Sequence, residues 1–152
     1  MKNVGEKAPE ISGVDQNGNN VSLADFKGKK LVLYFYPKDD TPGCTAEACN
    51  LRDNYKLLKD KGFEILGVSM DGEAKHKKFT DKYSLPFQLL ADIDKKVIEA
   101  YGTWGTKKFM GKEYEGILRS TFVIDEKGII EKVFEKVKTK AHAEQILQAF
   151  EL

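Results

Sequence analysis

The chain has 152 residues, 41% of them apolar and 32% charged, and its 25 Lys and Arg against 24 Asp and Glu leave a net charge of +1. That length suits a single domain over residues 1–152 with a real hydrophobic core, and the apolar content excludes a disordered chain. A near-zero charge supplies no global field for nucleic acid or an anionic membrane, and no apolar run approaches the roughly 20 residues that span a bilayer.

The opening residues, Met1-Lys2-Asn3-Val4-Gly5-Glu6-Lys7, contain no apolar stretch of the signal-peptide kind, so a soluble, cytoplasmic protein is expected. Two cysteines, Cys44 and Cys49, are too few for a secreted disulfide framework. In a reducing compartment a close pair is more often catalytic or metal-binding.

Along the chain, Asp15-Gln16-Asn17-Gly18-Asn19-Asn20 is a turn signal, with Val21 to Leu23 beginning the return strand of a hairpin. Leu31 to Tyr36 is an unbroken apolar and aromatic run stopped by Pro37, the pattern of a central strand buried on both faces. A loop from Pro37 to Gly43 follows. From Cys44 onward, Ala48, Leu51, Tyr55 and Leu58 recur at intervals of three and four, which predicts one helix ending near Gly62.

The alternation continues with a strand over Phe63 to Met70, a helix over Glu73 to Tyr83, a short strand over Phe87 to Ala91 and a helix over Lys95 to Tyr101. The glycine-rich segment Gly102 to Gly116 reads as a long surface loop. Tyr101 and Trp104 either wall a pocket or pack beneath that loop. Thr121 to Ile124 and Ile129 to Phe134 flank Asp125-Glu126-Lys127-Gly128 as a hairpin, and a last helix, capped by Thr139, runs almost to Leu152. His76, among Lys75, Lys77 and Lys78, and His142 are both expected to be solvated, with no role. The order βαβ, helix, ββα indicates an α/β domain of the thioredoxin-like kind, a mixed central sheet with helices on both faces.

The usual active position of that arrangement is the loop after a central strand, where the next helix begins, and Cys44 sits there. Unpaired N–H groups and the positive dipole end of a helix favour thiolate. Taken singly, these residues also have bland readings: Cys44 as a small buried hydrophobe, Cys49 as a bystander, Thr41 as an ordinary N-cap, Arg119 as a surface strand residue.

Pro37-Lys38-Asp39-Asp40-Thr41-Pro42-Gly43-Cys44 resembles the Pro-x-x-x-Thr-x-x-Cys signature of peroxiredoxins. The stretch from Phe35 through Asp53, with Cys49 five residues after Cys44, is similar to the peroxiredoxin Q branch, also called bacterioferritin comigratory protein. Arg119, in Arg119-Ser120-Thr121-Phe122-Val123-Ile124-Asp125, matches the family's distant arginine. The resemblance covers nearly the whole chain.

It implies a thiol-dependent peroxidase without metal or cofactor. Cys44 attacks hydrogen peroxide or an organic hydroperoxide, and Thr41, Gly43, Cys44 and Arg119 bind it. Pro37 shapes and shields the loop. Cys49 closes an intramolecular disulfide with the Cys44 sulfenic acid, which thioredoxin or glutaredoxin then reduces, and the branch implies a monomer. In a regular helix, residues five apart have Cα atoms about 8.6 Å apart, beyond the ~7 Å reach of a disulfide. The first turns of this helix are therefore expected to unwind in each cycle.

Two rival classes fit less well. A thiol metal-binding module would need a further ligand, and no histidine lies near Arg119 in the sequence. A general disulfide reductase would use Cys-x-x-Cys, whereas four residues separate Cys44 from Cys49.

Overall fold

The computed structural model describes residues 1–152. A short hairpin, β1 (Ser12–Val14) and β2 (Asn20–Ser22), opens the fold. It leads to β3 (Lys30–Phe35), α1 (Pro42–Asp53), α2 (Tyr55–Asp60) and β4 (Phe63–Ser69). Next come α3 (Glu73–Tyr83), β5 (Gln88–Ala91) and α4 (Lys96–Ala100). The chain ends with β6 (Trp104–Phe109), β7 (Lys112–Ile117), β8 (Ser120–Ile124), β9 (Ile130–Phe134) and α5 (His142–Ala149).

Seven strands form one sheet in the order β2-β1-β5-β4-β3-β8-β9. The β3–β4 and β4–β5 pairs are parallel, and the β3–β8 and β8–β9 pairs antiparallel, so the sheet is mixed as expected. β3 is central because both its faces are apolar. Leu31, Leu33 and Phe35 belong to one core, with α4 residues Val97 and Ile98, and Val32, Tyr34 and Tyr36 to the other. The second core also takes Cys44, Ala48 and Leu51 from α1, Leu58 from α2, Phe79 from α3, and Ala143 and Ile146 from α5. The two parallel crossovers run the same way along the sheet. Their fixed hand therefore puts α1, α2 and α3 on one face, which is the Cys44 face.

Three expectations are corrected. The helix from Cys44 does not run unbroken to Gly62: it stops at Asn54, whose side-chain amide donates to the Asn50 carbonyl at 2.9 Å and competes with the helix ladder. Residues Gly102 to Gly116 are no loop, since β6 and β7 pair in full register around Met110 and Gly111, both at positive φ. This is a two-residue hairpin turn of the kind that matches strand twist. Thr139 caps nothing. α5 starts at His142, and the Ala143 N–H is taken by Asn50 Oδ1 of α1 at 2.7 Å.

Candidate active site

The loop after β3 delivers its residues in a fixed direction because its ends are tied. Tyr36 N–H donates to the Val68 carbonyl, extending the parallel ladder by one residue. At the other end Thr41 is extended (φ −104°, ψ 155°) and Pro42 occupies the first helical position, where a missing N–H costs nothing. Asp40, between them, is left-handed at φ 58°. Pro37 is half-buried at the start of the loop.

The start of α1 is uncapped. The Thr41 hydroxyl donates to the Lys38 carbonyl at 2.8 Å and makes no cap bond, so the N–H groups of Gly43 and Cys44 keep their donors free. In this arrangement the Thr41 proton is spent on the Lys38 carbonyl, which leaves the hydroxyl oxygen as an acceptor.

Arg119 directly precedes β8, whose Ser120 pairs with Phe35, and this register carries its guanidinium to the mouth of the loop. Nη2 donates to Cys44 Sγ at 3.2 Å and Nη1 to Glu47 Oε1 at 2.6 Å. Gly43 gives the guanidinium room, since a Cβ there would lie 3.2 Å from Nη2. Burial favours the neutral form of the guanidinium, but Cys44 and Glu47 on its two sides outweigh it and hold its pKa above the ordinary value. The base of the β6–β7 hairpin borders the same site: burial, then the Arg119 cation, lower the pKa of Lys107, with the Cys44 sulfur acting in the opposite sense.

The sequence reading missed Glu47. It is fully buried, its Oε2 has no partner, and burial pushes its carboxyl up to about 7, the Arg119 cation offsetting only part of this. The missed signal was spacing: Cys44, Glu47, Ala48 and Leu51 make one i, i+3, i+4, i+7 stripe, and an acid on a buried stripe needs a partner.

Both histidines also depart from expectation, being fully buried. His142 Nδ1 donates to Gln145 Oε1 at 2.8 Å and Nε2 accepts from the Thr121 hydroxyl at 2.8 Å, with Glu47 Oε2 3.9 Å away. Burial lowers its pKa to about 4. His76 lies on the inner stripe of α3 with Phe79. Tyr101 packs against Phe35 and Phe122 and donates to the Pro9 carbonyl, the packing alternative. Trp104 is half-buried with the Lys95 ammonium 4.2 Å above its ring.

Cys44 is 1% exposed and Cys49 half-buried, and both are free thiols in the single helix α1. The structure therefore brings Cys44, Arg119, Gly43 and the Thr41 loop together, and holds Cys49 apart along the helix. No helix is long and apolar enough to cross a membrane.

The AhpC/TSA family profile matches residues 4–133. Peroxiredoxin Bcp of Bacillus subtilis is 50% identical over 95% of this chain and 92% of its own length. Peroxiredoxin Bcp of Escherichia coli is 49% identical over 94% of this chain and 92% of its own. A solved structure of the Xanthomonas campestris bacterioferritin comigratory protein, described for its alkyl peroxide reduction activity, superposes with a TM-score of 0.86 at 34% identity, covering 93% of this chain and 90% of that one. A buried thiol at an uncapped helix start beside a cationic arginine, on a chain with these relatives, leads to one assignment: it belongs to the AhpC/TSA family, among the peroxiredoxins, and is a thiol-dependent peroxidase.

Proposed function

We propose that Cys44 is the attacking thiolate and that it reduces hydrogen peroxide and organic hydroperoxides. The observation that carries this reading is the Arg119 fork, which spans Cys44 Sγ and Glu47 at a helix start whose N–H groups are unspent. The sulfur attacks one peroxide oxygen, the O–O bond breaks, and the departing alkoxide or hydroxide takes a proton from water. Gly43 and Cys44 N–H groups and the Arg119 cation stabilise the charge that appears there. Arg119 acts by charge alone, because a guanidinium does not release its proton near neutral pH. The Thr41 oxygen accepts from the peroxide O–H, and Pro37 shields the loop from water. The alkyl peroxides reduced by the Xanthomonas relative fit the organic part of this substrate class.

The Cys44 sulfenic acid then condenses with the Cys49 thiol, forming the S–S bond and releasing water. Exchange with an external dithiol, thioredoxin or glutaredoxin, restores both thiols. A cytoplasmic setting, where those donors keep thiols reduced, suits this cycle, and likeness to the peroxiredoxin Q branch supports a monomer.

Peroxide consumption coupled to a thioredoxin system, with mass spectrometry of the product, tests this directly. Cys44→Ser is expected to lose all activity. Cys49→Ser is expected to consume one equivalent and stop with a sulfenic or overoxidised Cys44. Undiminished turnover of Cys49→Ser with thioredoxin alone would remove Cys49 from the cycle.

A further inference from the structure

Asp39 is a loop acid that should be solvated, yet it is only 4% exposed. Its Oδ2 lies 2.6 Å from His76 Nδ1, and its Oδ1 accepts from the Tyr36 hydroxyl at 2.5 Å. Its N–H donates to Asp71 Oδ2 at 2.7 Å, and Asp71 also accepts from Ser69 Oγ and Lys75 Nζ. The opposite nitrogen of His76, Nε2, is 2.9 Å from the Leu90 carbonyl on β5. A carbonyl only accepts, so Nε2 carries a proton. One further proton then sits between Nδ1 and Asp39, whichever of the two holds it, and the contact is a hydrogen bond in either state.

Asp39, Asp71 and His76 group three atoms of metal-ligand type. Ligands about 2.0–2.1 Å from a tetrahedral ion lie more than 3 Å apart, so the His76–Asp39 spacing is that of a shared proton.

The next residue repeats the theme. The Asp40 carboxylate accepts from Lys82 Nζ and the Tyr83 hydroxyl at the far end of α3, while its own backbone is in the left-handed region. A non-glycine residue there is costly and persists only where its surroundings hold it. Two consecutive aspartates thus clip the loop to both ends of α3, immediately before Thr41 and the free N–H groups.

We propose that His76 is a positioning residue for peroxide attack: through Asp39 it fixes the Pro37–Thr41 loop against α3 and β5, and so sets where Thr41 and the start of α1 meet the peroxide. This rests on the reading of Cys44 as the attacking thiolate. Alkylation by iodoacetamide is also an in-line displacement at the sulfur, but it draws nothing from Thr41 or the free N–H groups, whereas attack on a peroxide depends on their holding the O–O bond in line. A displacement of about 1 Å is enough to cost on the order of 100-fold in a positioned reaction.

The test compares two rates of Cys44 in the reduced protein, oxidation by hydrogen peroxide and alkylation by iodoacetamide. Asp39→Ala and His76→Ala are each expected to slow oxidation at least about tenfold, with alkylation nearly unchanged. The double variant is expected to be no slower than the worse single, because both break one contact. Asp39→Asn should restore most of the rate, since its amide donates to Nδ1 and its oxygen accepts from Tyr36. If His76→Ala does not fold, the contrast between Asp39→Ala and Asp39→Asn decides alone. Oxidation rates close to wild type in the alanine variants, additive losses, or a parallel fall in alkylation would each overturn the proposal. Peroxide consumption surviving in Cys44→Ser would instead overturn the active-site reading beneath it.

Discussion

Arg119 has to reach two groups at once, which requires the planar fork of a guanidinium. A lysine offers one point charge and cannot hold Cys44 Sγ and Glu47 together. Arg119→Lys is therefore expected to lower the rate of Cys44 oxidation by about 100-fold, the scale of losing one well-placed charge-stabilising donor, as stopped-flow measurement of a single peroxide turnover would report. Glu47 and His142 make a second, opposite pair of expectations. Glu47 rises on folding from 4.5 to about 7, so its contribution to stability is full below pH 4.5 and lost as pH rises toward 7. His142 falls from 6.5 to about 4, so its contribution is full above pH 6.5 and lost as pH falls toward 4. Between pH 5 and 6.5 the two trends cancel. His142→Gln should leave stability falling with pH by up to about 1.4 kcal/mol per unit, and Glu47→Gln should leave it rising by a similar amount; urea unfolding at the two pH values reads both slopes. Unaltered slopes in both variants would contradict the burial of this pair. That Cys44 and Arg119 lie side by side was legible in the sequence through the resemblance. Glu47, His76 and His142 were not, because the identity of a polar residue says "solvent" until its place on a helix stripe is weighed. His76 with Phe79, and His142 with Ile146, lie at inward spacings that carried this information.

At the scale of elements, α1 must do two things that conflict. In the proposed cycle its first turn offers free N–H groups to the peroxide, while its regular geometry keeps Cys44 and Cys49 too far apart to bond. What resists unwinding is visible in its ties. Asn50 Oδ1 caps the Ala143 N–H of α5, and Arg52 Nη1 donates to the Tyr83 carbonyl at the end of α3 at 2.8 Å. Asn50→Ala removes one tie and a cap worth about 1 kcal/mol. It is expected to destabilise the reduced protein by that amount and to speed disulfide closure about fivefold, measured by rapid quench and mass spectrometry after one equivalent of peroxide. Slower closure would mean that Asn50 assists the rearrangement. The periodicity of α1 and α3 was readable, but the stop at Asn54 was not, since it depends on one side-chain amide turning back onto Asn50. The β6–β7 hairpin was hidden by its glycines, which suggested a loop, while Met110-Gly111 occupies a turn usually given to Asn-Gly or Gly-Gly.

For the whole molecule, the mixed sheet followed from the element order βαβ, helix, ββα, and its centre from β3, whose unbroken apolar run has to be covered on both faces. The N-terminal hairpin joins the sheet through a single β1–β5 contact at Val14 and Ala91, a pairing too sparse for any sequence pattern to announce. The packing makes a prediction about the redox states. Closing a loop of six residues would stabilise the chain by about 2 kcal/mol. Unwinding α1 strips Ala48 and Leu51 from the core and breaks the ties to α3 and α5, costing several kcal/mol, with about 1.5–3 kcal/mol for the leucine alone. The disulfide form is therefore expected to melt below the reduced form, the reverse of the usual effect of a disulfide, as calorimetry of the two states would show.

The central claim, attack by Cys44 followed by a bond that α1 must unwind to make, is tested most directly by hydrogen exchange of the helix-bonded amides of residues 45–53 before and after one equivalent of peroxide. Protection of these amides is expected to collapse in the wild-type chain and to persist in Cys49→Ser. Full protection of α1 in protein shown by mass spectrometry to hold the Cys44–Cys49 disulfide would contradict the account.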